Sequence, residues 1–206
     1  MEQSNIQYRA IRPSDYRALA KIICDTWHYE KICAPKTAEA MSMLYLSGCL
    51  ANQTYTCVAL KNGVPVGIIM GKNEKTHRKS PRYGLKQLTS VLSVLVRSEG
   101  RRVLKTFEGF DGINKGLFER CTEKFDGEVA FFAVRSDQRG AGVGRELFGR
   151  VQAYMKSEGI SDYYLYTDTT CNYGFYEHLG MNRVGEKTFT IKAYNKDMTF
   201  FMYAMH

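Results

Sequence analysis

The 206-residue sequence has little of what would mark a membrane, metal-finger or disulfide-framed protein. Its longest apolar stretch, around Leu88 to Val96, is interrupted by Thr89, Ser90 and Ser93 and falls far short of a membrane span. The first ten residues, MEQSNIQYRA, have no apolar core or cleavage-type site, so a secretory leader is not expected. No Cys-x-x-Cys pair occurs, and none of the four histidines stands at zinc-finger distance from a cysteine, which argues against a structural zinc. The six cysteines, Cys24, Cys33, Cys49, Cys57, Cys121 and Cys171, therefore read as free thiols, mostly small core residues, in a reducing cytoplasm. No repeat or low-complexity tract is present. With 44% hydrophobic and 24% charged residues, an ordinary globular chain is expected, one domain over residues 1–206.

The charge is less even. Net +8 is concentrated between Lys72 and Lys124, where 13 basic residues face 6 acidic ones; the remainder is nearly neutral, with 16 and 15. A binding role or a solvated insertion would each explain that excess.

Periodicity orders the chain. A first strand is expected over Gln7–Ile11, then a helix capped by Ser14 with Leu19, Ala20, Ile23 and Trp27 in register. A loop stopped by Pro35 leads to a second helix capped by Thr37, with Met41, Leu44 and Tyr45 on one face. Asn62-Gly63 between two β-rich runs is a hairpin signal. Residues 72–127 read as a helical insertion. Its main helix runs from Tyr83 to about Glu99, with Leu85, Leu88, Leu92, Leu95 and Val96 as the apolar stripe and Gly100 as the stop; a shorter helix follows around Leu117, Phe118 and Cys121. The stripe could also pack between subunits, making a homodimer. Glu128–Val134 is an apolar strand, followed by a glycine turn and an amphipathic helix with Leu147, Phe148, Val151, Tyr154 and Met155 on one face. A strand over Asp162–Thr167, a short helix over Tyr173–Leu179 and two final strands around Asn195-Lys196-Asp197 complete an α/β, mixed-sheet architecture.

The most informative stretch is VRSDQRGAGVGRELFGRVQAYM. Gly140, Gly142 and Gly144 lie between a strand and a helix N-terminus, where small residues and unpaired amides suit a diphosphate. Gly144 is followed by Arg145-Glu146, not Lys-Ser/Thr, so this is not a nucleotide-hydrolase loop. A dinucleotide fingerprint would need glycine at Arg145. A plain flexible turn is the alternative.

Gln138/Arg139-x-x-Gly142-x-Gly144 after an apolar strand resembles the coenzyme A signature of the GNAT superfamily of N-acyltransferases. CNYGFYEHLGM, residues 171–181, is similar to that superfamily's FYxxxGF segment, with Met181 in place of Phe, and the order of elements agrees along the chain. The resemblance implies a GNAT-like fold with the insertion ahead of the motif strand. It also implies an N-acetyltransferase that moves acetyl from acetyl-CoA, with no metal, directly to a primary amine of a small molecule or peptide through a tetrahedral intermediate. By the same resemblance, Phe132, Ala133 and Val134 would pair with pantetheine, and Arg139, Gly140, Ala141, Gly142, Val143, Gly144 and Arg145 would hold the pyrophosphate. Thr169 stands where many members have Asn, Asn172 could take over part of that contact, and Phe175 borders the site.

Tyr176 sits at the family's acid position, and Glu128 at the spacing of a base on the motif strand. Each has a bland alternative, core packing for Tyr176 and a charged strand entrance for Glu128. Asp168, Glu30 and His28 are weaker base candidates. Trp27 and Tyr29 could line the acceptor pocket, though Trp27 also completes a helix stripe. Cys171 lacks an evident histidine partner other than His178 and reads as structural or pocket-lining. A non-catalytic acyl-CoA-binding regulator is the alternative class. A nucleic-acid module using the insertion is disfavoured, because Tyr83, Phe107, Phe110, Phe118 and Phe125 form no RNA-binding signature, and no membrane partner is expected. The insertion's charge leads to the expectation that anionic amines are preferred over polyamines.

Overall fold

The computed structural model describes residues 6–191 and 196–206, excluding the side chains of 106–111, 191 and 196. The expected turn residue Asn195, and the insertion aromatics Phe107 and Phe110, lie outside that description. Seven strands form one mixed sheet in the order β1-β2-β3-β4-β5-β7-β6: β1 Ile6–Arg9, β2 Tyr55–Lys61, β3 Val64–Asn73, β4 Gly127–Val134, β5 Tyr163–Asp168, β6 Asn182–Ile191 and β7 Lys196–Met205. All neighbours pair antiparallel except β4 and β5, which are parallel and joined by α5 (Val143–Ser157). The β2–β3 hairpin turns on Asn62 and Gly63, both at positive φ (51° and 78°), as a two-residue hairpin turn requires.

On one face, α5 buries Leu147, Phe148, Val151 and Met155 against Cys57, Ala59, Ile69, Val129 and Val134. The other face carries α1 (Tyr16–Trp27) and α2 (Pro35–Ala51) over Val58, Leu60, Ile68, Met70, Phe131 and Ala133. Ser14 does not cap α1. It lies in a short 3₁₀ turn, and Asp15 instead takes the Arg12 amide (2.7 Å) and the Arg9 guanidinium (2.7 and 2.8 Å). Pro35 opens α2, since its missing N–H is harmless in the first turn.

The insertion forms two helices, α3 (Pro81–Leu95) and the longer α4 (Ser98–Arg120). The chain breaks at Val96-Arg97, not at Gly100, which lies in the first turn of α4. A β-carbon there would come within 2.4 Å of the Val94 carbonyl oxygen, so glycine permits the close approach of the two helices. The stripe also lies where sequence periodicity does not reveal. Ser90 and Val94 are buried toward α2, whereas Leu85, Leu88, Leu92, Leu95 and Val96 are 40–75% exposed. Farther on, α4 crosses onto β6 and β7, and Leu117 packs with Tyr164, Phe200, Met202 and Ala204. Phe118 and Phe125 lie 5.1 and 5.2 Å from the Tyr164 ring, so they are used in packing within the fold. Most of the insertion's cations point outward; Lys72, Lys86 and Arg97 are the partly covered ones. Among the described residues no helix is long and apolar enough to cross a membrane.

Candidate active site

The centre of the sheet comes apart. β4 and β5 pair only at Gly127↔Tyr163 and Glu128↔Tyr164. Beyond Glu128 the two strands part while each stays paired on its other side, to β3 and β7. The β5-facing backbone groups of β4 from Val129 to Val134 thus have no ladder partner in β5. A bulge lies in this stretch: Met70 opposes Phe131 and Gly71 opposes Val129, leaving Ala130 over. The bulge switches faces, sending Val129 toward α5 and Phe131 toward α1 and α2.

At the far end of β4 a short 3₁₀ turn leads into the glycine loop. Gly140 and Gly142 have φ of 79° and 81°, which other residues adopt only under strain. Nothing lies within 4 Å of where their β-carbons would stand, so the loop's upper surface is open. Gly142 is the N-cap of α5 and accepts the Glu146 amide at 3.0 Å; the amides of Val143, Gly144 and Arg145 precede the first intrahelical bond. Arg139 is exposed and its Nε donates to the Val134 carbonyl (3.2 Å), while the buried Gln138 accepts Lys61 Nζ (3.0 Å). Open amides, positive-φ glycines and a helix N-terminus beside an unzipped sheet fit a diphosphate followed by an extended arm.

Across the gap, Phe132, Phe148 and Phe175 meet with ring centroids 5.6–6.1 Å apart. Tyr176, on the short helix α6 (Gly174–His178), packs against Phe148, Phe175 and Tyr203 and is 8% exposed. Burial pushes its phenol well above the usual range, helped by the nearby Cys171 and Asp168. Asn172 is exposed, and its carbonyl accepts the Phe175 amide at 3.2 Å. Thr169 is tied to β7, its Oγ1 accepting the Thr199 amide (3.2 Å).

Glu128 stands where the strands part. Its side chain is 13% exposed; Asn52 Nδ2 donates to Oε2 at 3.3 Å, and Lys72 Nζ lies 3.8 Å away. Burial raises its pKa above the ordinary carboxylate value, with Lys72 pulling back and Glu74 adding to the rise. Lys72 is shared with Glu74 at 2.8 Å, so Glu128 is only partly neutralised.

The sequence did not point to what surrounds Glu128. Tyr45 and Cys49 are one turn apart on one face of α2, and Asn52, three residues on, is its C-cap. Burial raises the Cys49 thiol, and Glu128 is its next strongest perturbant; burial also raises the Tyr45 phenol, with Cys49, Tyr29, Cys171 and Asp168 contributing. The signal was present as an i, i+4, i+7 set, but the set reads as an ordinary helix face until β4 is known to lie beneath it. Of the weaker base candidates, Asp168 accepts the Thr170 amide and hydroxyl, Glu30 is exposed and bonded to Lys21 (3.1 Å), and His28 is an exposed left-handed cap of α1. His178 is exposed and bonded to the Gly174 carbonyl. Cys24, Asp25 and Glu30 bring ligand atoms within 4.8 Å of one another, and Lys21 already occupies the carboxylates as their cation.

A mixed sheet parted at its centre, with a glycine turn and helix N-terminus beside the gap, is the architecture of coenzyme A-dependent N-acyltransferases. The chain belongs to the acetyltransferase (GNAT) family, whose sequence model matches residues 17–181, and is accordingly an acyltransferase enzyme. No curated protein sequence matches it significantly. Solved structures with the same fold include an N-acetyltransferase from Staphylococcus aureus Mu50 (13% identity, 98% of each chain covered, TM-score 0.57). Another is the ribosomal-protein-S18-alanine N-acetyltransferase from Escherichia coli (11% identity, 98% of this chain and 93% of that one, TM-score 0.55). A third is PH1933 from Pyrococcus horikoshii OT3 (15% identity, 98% of each chain, TM-score 0.58).

Proposed function

We propose that residues 1–206 form a single acetyltransferase unit that transfers acetyl from acetyl-CoA directly to a primary amine. The observation that carries this is the parting of β4 from β5 between Glu128 and the glycine loop. In this reading the amides from Arg139 to Arg145 hold the pyrophosphate, and the free edge formed by Phe132, Ala133 and Val134 pairs with the pantetheine arm. Thr169, through its backbone, and Asn172 and Phe175 border the arm from the α6 side. The coenzyme supplies an acetyl group already activated as a thioester.

The remaining work concerns protons and charge. An attacking amine must be neutral, and Glu128, whose raised pKa brings it nearer to neutrality than an ordinary carboxylate, takes up the amine proton directly or through water. Unpaired β4 amides beside the bulge face the carbonyl oxygen as charge develops on it. Tyr176 acts at the sulfur. A phenol pushed above its usual value near 10 stays protonated, and complete transfer to a thiolate of ordinary pKa near 8.5 is uphill. Its contribution is therefore a hydrogen bond that strengthens as the thiolate forms; the C–S bond breaks as the new C–N bond is kept, and the N–H proton shed as the amide forms, carried by water, converts the thiolate to the thiol. Cys171, whose thiol is raised by burial and Asp168, is a poor nucleophile, which favours direct transfer over an acetyl-cysteine.

The test is thiol release from acetyl-CoA with and without primary amines. Amine-dependent release with matching N-acetylated product is expected. Tight acetyl-CoA binding without turnover of any amine would replace this reading with that of a coenzyme-binding regulator.

A further inference from the structure

On the side of the gap facing α1 and α2, the rings of Trp27 and Tyr45 form a wall over the buried Phe131. Trp27 ends α1, Tyr45 lies on α2 and Phe131 follows the bulge on β4. Their centroids are 4.8, 5.7 and 6.1 Å apart. Tyr45 is 40% exposed and Trp27 half-buried, so both rings present a face to solvent. One helical turn beyond it, Cys49 leads to Asn52 and Glu128.

The charges around this wall are acidic. Glu128 and Asp168 are the carboxylates that act on Tyr45, Cys49, Cys171 and Tyr176, and the cation beside them, Lys72, is engaged by Glu74 and Glu128. The insertion's other cations are mostly turned to solvent: Lys75 and Lys115 have side chains 70% and 76% exposed, and Arg101, Arg102 and Lys105 are exposed. The carboxylates beside the rings are thus set inward while most of the insertion's cations face solvent. Solvent also screens outward charges within about a Debye length, whereas the partly buried carboxylates are screened much less.

We propose that the acceptor is a primary amine on an apolar, preferably aromatic, body without an anionic group, lying against Trp27 and Tyr45 with its amine toward Glu128. This rests on the acetyl-CoA reading above. It replaces the expectation that anionic amines are preferred: a carboxylate or phosphate on the acceptor would meet Glu128, whose neighbouring cation Lys72 is already engaged by Glu74. The rings supply flat apolar area and negatively polarised faces that suit an arylalkyl ammonium.

A matched set of acceptors tests it at saturating acetyl-CoA: 2-phenylethylamine, phenylalanine amide, phenylalanine and ethanolamine. 2-Phenylethylamine should exceed phenylalanine in kcat/KM by about tenfold or more, since phenylalanine adds a carboxylate to the same skeleton, and phenylalanine amide should do so when compared at equal concentration of neutral amine. 2-Phenylethylamine should exceed ethanolamine by about tenfold, for the ring. Tyr45→Leu and Trp27→Phe, which keep the site apolar and packed, should raise KM for 2-phenylethylamine several-fold while calorimetric affinity for acetyl-CoA stays unchanged. Phenylalanine turning over as fast as its amide, or ethanolamine as fast as 2-phenylethylamine, would overturn the proposal. So would an absence of turnover on the whole set with acetyl-CoA still bound. Failure to bind acetyl-CoA would instead overturn the reading beneath it.

Discussion

At the Val134 end of β4 the chemistry is carried by the backbone: amides, two positive-φ glycines and the N-terminus of α5, all within eight consecutive residues. At the Glu128 end, six residues away, it is carried by side chains from several elements, with Asn52 at the C-cap of α2, Lys72 and Glu74 around β3, and Tyr164 of β5, whose hydroxyl donates to Glu74. The first end is contiguous and leaves a motif. The second is assembled by folding and leaves only single letters scattered over more than a hundred residues. In our reading the two ends also divide the labour, the loop holding the coenzyme and Glu128 handling the acceptor's proton, with Tyr176 opposite.

If that division is right, substitutions should separate binding from turnover. Tyr176→Phe removes one oxygen and keeps the ring packing with Phe148, Phe175 and Tyr203; loss of the donor to the developing thiolate should lower kcat about a hundredfold while calorimetric affinity for acetyl-CoA is nearly unchanged. A Phe variant with normal turnover would make Tyr176 a core residue and leave the α6 side without a chemical part.

Glu128→Gln should act less strongly, by about thirtyfold in kcat/KM, since water can also accept the amine proton. Its diagnostic is the pH profile. Wild-type kcat/KM should fall as pH drops through the Glu128 pKa, which is raised above 4.5, and the Gln variant should lose that limb. Stability should move the other way. Between the unfolded value and the raised native one, the native state holds a proton that the unfolded chain has lost, so stability falls as pH rises through that window. Thermal melts of the two proteins across that range check the sign, and parallel curves would mean that Glu128 is not the group titrating.

The smallest effect is expected at the loop. Gly142→Val forces a branched side chain to φ near 81°, a strain of about 1–2 kcal/mol, and acetyl-CoA affinity should weaken about tenfold with kcat at saturation little changed. If Gly142→Val lowered kcat at saturation and left affinity alone, the two ends of β4 would not divide binding from proton handling as we propose.

The sequence alone determined the parts whose information is local. The β2–β3 hairpin is written in Asn62-Gly63, and the strand–glycine–helix signal of residues 134–144, with the second motif at 171–181, was enough to imply the family later matched over residues 17–181. Local signals also misled. Gly100 reads as a helix stop, yet it is there because two helices touch, and Leu85 to Val96 reads as a core stripe, yet α3 turns its less apolar Ser90–Val94 side inward. What only the tertiary structure decided is where β4 leaves β5, which face Phe131 takes after the bulge, and which α2 residues stand over Glu128. Strand separation and register depend on pairing between segments far apart in the chain, and a one-residue bulge reverses every side chain beyond it. Likewise, that Lys72 is held between Glu74 and Glu128 while most of the insertion's other cations face solvent is not contained in a count of lysines and arginines.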